Sequence, residues 1–304
     1  MPAHRVPLIL DVDTGIDDAL AIALAALSDK AELVAVTTVA GNTSIANATR
    51  NSLDVLDMLG RSDVPVHRGA SRPLARPLQT APHVHGDNGI GGASLPRSTR
   101  QVGKDRGPAA IIRMAHERPG ELTVVCVGPL TNVAIALNVE PDLPSLLKSI
   151  VVMGGAYFVP GNVTRAAEFN FYCDPESADQ VLGTPFPESI LIGLDVTQKA
   201  GLSRDQFEQA SSAETAGVQL LRSTYGHTFS DPTVGGAFIH DALAVSVALD
   251  RTLISTERHQ VRVMAGLDER GASRIVETAS VDIGVVVDRT RFHEELFRVL
   301  GVPI

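Results

Sequence analysis

A chain of 304 residues, 44% hydrophobic and 20% charged, is long enough to bury a sizeable core and too apolar to be disordered. Its formal net charge of −9 argues against a nucleic-acid or anionic-membrane partner, either of which would need basic stripes. No apolar stretch reaches the roughly 18 uncharged residues that span a bilayer, no basic leader opens the chain, and two cysteines, Cys126 and Cys173, are too few for a disulfide framework, so a cytoplasmic location is expected.

Trp is absent, so packing must rest on Val, Leu, Ile and Ala, as it does in parallel sheets covered by helices. The apolar run from Val6 to Leu10 predicts a strand buried on both faces. It runs into Asp11-Val12-Asp13-Thr14-Gly15-Ile16-Asp17-Asp18, four carboxylates in eight residues around one glycine. Carboxylates so crowded raise one another's pKa unless a cation or a set of donors neutralises them. Capping of the following helix accounts for any one of them. A hard, oxygen-binding cation such as Ca²⁺ or Mg²⁺ accounts for all four together.

A helix over 17–27, a β-branched strand over 33–39 ending near Asn42, a helix over 44–60 and a short strand over 64–67 follow. This β-α-β-α-β order predicts right-handed crossovers and a parallel sheet, with any site at the carboxyl ends of its strands. Residues 69–108 change character, with many Pro and Gly and the run His85-Gly86-Asp87-Asn88-Gly89. Flanked by compact elements, they read as a functional loop; a phosphate-loop reading lacks the Gly-Lys-Ser/Thr it needs.

Next come a helix over 107–117 and a strand over 121–127 leading into Gly128-Pro129-Leu130-Thr131-Asn132. A strand over 148–153 closes on Gly154-Gly155 and opens a second functional loop, 154–173, which carries Asn162 and Glu168-Phe169-Asn170. A helix runs from Asp174 through Leu182, a strand over 189–194 ends at Asp195, helices cover 203–210 and 213–228, and His240-Asp241 opens a helix over 241–249. Strands near 260–264, 274–278 and 281–287, with a turn at Arg270-Gly271, predict an antiparallel addition before a last helix over 290–299. The expected fold is a single α/β domain over 1–304: a mostly parallel, open, Rossmann-like sheet flanked by helices.

Oxygen ligands and hydroxyl-binding amides thus fall at several strand ends: Asp13, Asp17 and Asp18; Asn42; Thr131; Asn162, Glu168 and Asn170; His240 and Asp241. Such ends converge in a parallel sheet, so these residues are expected in one pocket. At this point the chain resembles the inosine-uridine-preferring nucleoside hydrolases, ribohydrolases that cleave the N-glycosidic bond. Asp11-Val-Asp-Thr-Gly-Ile-Asp-Asp looks like their Asp-x-Asp-Pro-Gly-x-Asp-Asp signature, and the Gly-Asn, Gly-Pro-Leu-Thr-Asn, Met-Gly-Gly, Glu-Phe-Asn-x-x-x-Asp-Pro-Glu and His-Asp-Ala segments occur in the family's order.

The resemblance implies the nucleoside hydrolase fold and a Ca²⁺ held by Asp13, Asp18 and Asp241 and by the backbone carbonyl of Thr131, with Asp13 also the base that deprotonates water. It implies that Asp17, Asn162, Glu168 and Asn170 hold the ribose hydroxyls, that Asn42 and Met153 line the sugar pocket, and that His240, titrating near neutrality, gives a proton to the departing base. Asp11 is left as a residue supporting the ligands. A nucleoside is the implied partner, and a homodimer or homotetramer the implied assembly. Thr14 stands where the family commonly has Pro, and the His85 loop departs from the family's, so a substrate contact by His85 is the least direct carry-over. Purine-specific relatives stack the base between tryptophans; this chain has none, which favours the pyrimidine-preferring or broadly specific branch. Tyr225 and His227, on the helix before His240, are candidates to contact the base.

Two rival readings start from the same residues. Asp11-Val-Asp13-Thr14 is similar to the Asp-x-Asp-x-Thr motif of Mg²⁺-assisted phosphatases, but Gly15 occupies the position of the required hydroxyl. A catalytically silent nucleoside- or ribose-binding protein would need neither Asp13 nor His240 as base and acid.

Overall fold

In the computed structural model, which describes residues 5–303, the opening apolar run forms β1 (Val6–Val12) with no exposed side chain. α1 (Ile16–Leu27), β2 (Ala31–Thr38), α2 (Ile45–Met58) and β3 (Val66–Arg68) complete the first β-α-β-α-β unit. The long loop contains one helical turn, α3 (Pro82–His85), and ends at α4 (Gly107–Glu117) and β4 (Thr123–Cys126). After α5 (Thr131–Val139), α6 (Leu143–Leu146) and β5 (Ser149–Met153), the second loop leads into the adjoining helices α7 (Phe169–Cys173) and α8 (Pro175–Leu182). β6 (Ser189–Ile192), α9 (Leu194–Thr197), β7 (Leu202–Ser203), α10 (Arg204–Ala210), α11 (Ala216–Ser230), β8 (Gly236–Ala237) and α12 (His240–Leu249) follow. The chain closes with β9 (Ile254–Val263), β10 (Ser273–Val287) and α13 (Arg289–Leu300).

Eight strands form one sheet in the order β3-β2-β1-β4-β5-β6-β10-β9. All neighbours are parallel except the edge strand β9, which pairs antiparallel with β10. One core packs α1, α12 and their neighbours onto one face of the sheet; the other packs α4, α5 and α8 onto the opposite face. Every residue of α1 from Asp18 to Ala26 is buried, and its small alanines let surrounding helices approach closely. The strand order reverses between β1 and β4, and a doubly wound sheet opens its crevice at the carboxyl ends of such a pair. Asp11 lies near the carboxyl end of β1 and Asp13 on the chain just leaving it, at that crevice.

Three differences from the expected elements have local causes. The 189–194 strand stops at Ile192, because Gly193 and Leu194 turn into α9, with the Leu194 N–H donated to the Gly155 carbonyl at 3.0 Å. α5 was not visible as a helix because Val133-Ala134-Ile135-Ala136-Leu137 is apolar all round and shows no amphipathic period. The two strands expected near 274–278 and 281–287 are one strand, β10, whose pairing with β9, itself longer than the strand expected near 260–264, shifts register between Val276 and Val281. The Arg270-Gly271 turn joins β9 to β10, with Gly271 at φ +75°.

Candidate active site

The site begins where β1 turns into α1. Asp18 folds back over the turn: its Oδ1 accepts from the Asp13 N–H at 3.1 Å, and its Oδ2 from the Gly15 N–H at 2.8 Å and the Asn42 amide at 3.1 Å. Asp13 Oδ2 accepts from the Asn42 N–H at 2.6 Å, while its buried Oδ1 has no hydrogen-bond partner among the described residues. Gly15 has an ordinary φ of −94°; it is glycine for want of space, since a Cβ there would collide with His85. A Cβ on Gly41 would likewise collide with Asp13 Oδ2. Asp241 enters from the first turn of α12, and its buried Oδ2 is also without a partner.

Carboxylate oxygens of Asp17, Asp18 and Asp241 come within 4.8 Å of one another. The N-termini of α1 and α12 both point at this cluster, so their dipoles offset part of its repulsion. Even so, burial pushes Asp13 and Asp241 well above the usual carboxylate range, reinforced by the charges of Asp18 and Asp17 respectively. Burial and Asp17 raise Asp18, and burial raises Asp17 to about 6. No Lys or Arg is paired with these four groups among the described residues. Buried oxygens only, two of them orphaned and none answered by a cationic side chain, are a donor set that fits a hard divalent cation. Asp11 turns towards the sheet: its Oδ1 accepts from the Thr37 hydroxyl at 2.5 Å and the Asn132 amide at 2.7 Å, tying β1 to β2 and α5, while its Oδ2 is also buried without a partner among the described residues and burial raises the carboxyl to about 7.

Above the acids lies a cavity of about 760 Å³. Asp17, Asp241, Asn42, Met153, Glu168 and Asn170 contribute to its wall, whereas Asp13, Asp18 and Thr131 are buried behind it. Thr131 begins α5, and its hydroxyl is committed to Asp174 Oδ2 at 2.6 Å; the same Asp174 oxygen accepts from Leu74 N at 2.9 Å, so one carboxylate ties this corner to the first loop. Glu168 caps α7, accepting from the Asn170, Gly155 and Phe171 N–H groups at 2.9, 3.0 and 3.3 Å, and burial nevertheless pushes it to about 7. The Asn170 amide donates to the Val127 and Met153 carbonyls at 2.8 and 3.1 Å. Asn162 sits exposed at the rim.

His85 is buried in the wall, its Nδ1 accepting the free Ile16 N–H at the start of α1 at 3.1 Å, and burial lowers its pKa. His240 lines the cavity with Nδ1 2.7 Å from the Thr197 hydroxyl. Burial, with a smaller push from His85, brings His240 down to about 4. The expectation of a histidine titrating near neutrality is thereby corrected: desolvation holds the imidazole neutral at pH 7. Tyr225 also lines the cavity, its hydroxyl donating to the Phe238 carbonyl at 2.9 Å. His227 is exposed and does not reach the cavity; Thr228, on the next position of α11, does.

Two residues at the site carried no local signal in the sequence. Phe238, 54% exposed at the mouth, stacks on His240 with ring centroids 5.1 Å apart. Thr197 reaches His240 from 43 positions away, which no pattern of periodicity or spacing announces.

The family model described as inosine-uridine preferring nucleoside hydrolase matches residues 8–294. The pyrimidine-specific ribonucleoside hydrolase RihA of Escherichia fergusonii is 37% identical, covering 85% of this chain and 84% of its own length. The inosine-uridine preferring nucleoside hydrolase of Crithidia fasciculata is 35% identical, covering 84% and 82%. Among solved structures, a purine-preferring ribonucleoside hydrolase from Gardnerella vaginalis superposes with a TM-score of 0.91 at 32% identity, covering 97% of this chain and 98% of that one.

Proposed function

Since the chain belongs to the inosine-uridine preferring nucleoside hydrolase family and is a nucleosidase acting on the N-glycosidic bond of ribonucleosides, we propose that it works with Ca²⁺ and prefers pyrimidine nucleosides or accepts inosine and uridine alike. The phosphatase and silent-binder readings fall with that membership. The observation that carries the calcium assignment is the pair of buried, orphaned oxygens, Asp13 Oδ1 and Asp241 Oδ2, in a cluster with no cationic partner among the described residues. In this proposal Asp13, Asp18, Asp241 and the Thr131 carbonyl hold the cation, which when bound supplies positive charge that acidifies water and gathers the vicinal ribose hydroxyls.

This chain's residues then divide the work. Asp13 takes the proton of the attacking water. Asp17, Asn162, Glu168 and Asn170 receive the ribose hydroxyls, Asn42 and Met153 shape the sugar pocket, and the crowded negative charge favours an oxocarbenium-like transition state. Glu168 and Asn170 are well suited to this because their own backbone bonds hold them rigid. His240 meets the departing base, Tyr225 holds the Phe238 segment beside it, and His85 fixes the α1 N-terminus at the edge of the base pocket. The missing tryptophans and the name of the Escherichia fergusonii relative support pyrimidine preference; the name of the Gardnerella vaginalis enzyme points to purines. A cytoplasmic homodimer or homotetramer completes the proposal, in keeping with two free, buried cysteines.

The test is ribose release from uridine, cytidine, inosine and adenosine, each with and without a Ca²⁺ chelator. Uridine turnover abolished by chelation and restored by Ca²⁺ is the expected result. Turnover indifferent to chelation removes the metal, and inosine turnover without uridine turnover removes the pyrimidine preference.

A further inference from the structure

Thr197 is 1% exposed, and its hydroxyl makes one hydrogen bond among the described residues, to His240 Nδ1 at 2.7 Å. A buried hydroxyl proton needs an acceptor, and Nδ1 is the one in reach. Nδ1 therefore carries the lone pair, and the ring proton sits on Nε2, the nitrogen left to the cavity. Thr197 is placed rigidly for this. It ends α9, its N–H donates to the Gly193 carbonyl at 3.1 Å, and α9 is anchored by Asp195, whose oxygens accept from the Tyr157 and Phe158 N–H groups at 3.0 and 2.7 Å. Phe238 covers one face of the imidazole, and its own backbone is held by the Tyr225 hydroxyl.

We propose that Thr197 is a positioning residue that, through its hydroxyl on Nδ1, fixes His240 as the Nε2–H tautomer and presents the Nε2–H to the leaving base as a hydrogen-bond donor. The inference rests on His240 facing the base as set out above. In the step, the C–N bond breaks and its electron pair stays on the base nitrogen, where the charge is stabilised by the Nε2–H. The new C–O bond forms from water, whose proton passes to Asp13. The released base takes its proton from solvent.

Three variants, assayed on uridine and on p-nitrophenyl riboside, whose leaving group needs no help, test this. His240→Ala is expected to lose far more turnover with uridine. Thr197→Val, which keeps the side chain's shape but not the hydroxyl, is expected to lose roughly 10- to 100-fold in kcat on uridine and little on p-nitrophenyl riboside. Thr197→Ser is expected to restore most of the loss. Nitrogen NMR of histidine-labelled protein gives a readout independent of turnover: a protonated-type Nε2 and an unprotonated-type Nδ1 for His240, becoming a tautomer mixture in Thr197→Val. If Thr197→Val matches the parent, or loses equally on both substrates, while His240→Ala remains selective, the inference falls and the role of His240 stands. If His240→Ala is itself unselective, that role falls. A protonated Nδ1 in the parent protein overturns the inference whatever the kinetics.

Discussion

Helices α1 and α12 pack side by side and meet acidic residues at both ends. At their N-termini Asp17, Asp18 and Asp241 face one another without a cation from the protein, and burial drives their pKa values up. At the other ends, Asp29 and Lys30 follow α1 and Asp250 follows α12, and here acid meets base: Arg298 lies 2.9 Å from Asp29, Arg291 2.8 Å from Asp250 and Lys30 3.1 Å from Glu295. Asp29 and Glu295 are held low chiefly by Arg298, and Asp250 by the Thr252 hydroxyl with help from Arg291. The helix dipoles sharpen the contrast, because the N-terminal ends welcome anions and the C-terminal ends do not. At the C-terminal ends the fold supplies each acid with a basic side chain; at the N-terminal ends none among the described residues answers Asp17, Asp18 and Asp241.

The strongest way to break this comparison is Asp13→Asn. It should lower kcat/KM on uridine by about 10³-fold or more, and a variant keeping a tenth of the activity would strip the N-terminal cluster of its special standing. Removing the cation comes next: if the cluster is completed by Ca²⁺, saturating it stabilises the fold by roughly 3 to 4 kcal/mol at 100- to 1,000-fold above Kd. Thermal unfolding with and without chelator measures this, and an unchanged melting temperature contradicts it.

A pH experiment sharpens the same point on a neighbouring group. Glu168, 2% exposed, is held at about 7. A carboxyl whose folded pKa is raised is most compatible with the fold while protonated. Its cost is absent below about pH 4.5, accumulates as pH rises towards 7 and is constant above, about 3 kcal/mol in all. The unfolding free energy measured between pH 4.5 and 8 should fall by about 3 kcal/mol less in Glu168→Gln than in the parent, the other buried carboxyls contributing alike to both; parallel profiles would refute it. The smallest effect belongs to the paired end: Arg298→Ala should cost at most about 1 kcal/mol, less in high salt, and leave uridine turnover as it was. A large loss of turnover there would erase the contrast between the two ends.

How legible the protein was from its residues varied by place. The acidic turn could be read because a both-face-buried strand followed by four carboxylates serves no packing purpose, and the alternation of strands and helices ordered the parallel sheet. The apolar helix α5 and the α9 turn at Gly193 were hidden, since neither shows a period that survives complete burial. His227 looked as good a candidate as Tyr225 on the same helix, yet two positions along α11 correspond to a rotation of about 200°, which carries one side chain into the cavity and the other into solvent.

By itself, then, the sequence determined the α/β class, the site's place at the carboxyl ends of the strands and the chemical kind of its groups, because hydrophobic period, glycine turns and crowded charge act over a few residues. Which oxygens stay orphaned, the neutral state of His240 and the contact of Thr197 with its Nδ1 were decided only in the tertiary structure. These depend on desolvation and on hydrogen bonds between residues tens of positions apart, which exist only once the helices and strands have packed.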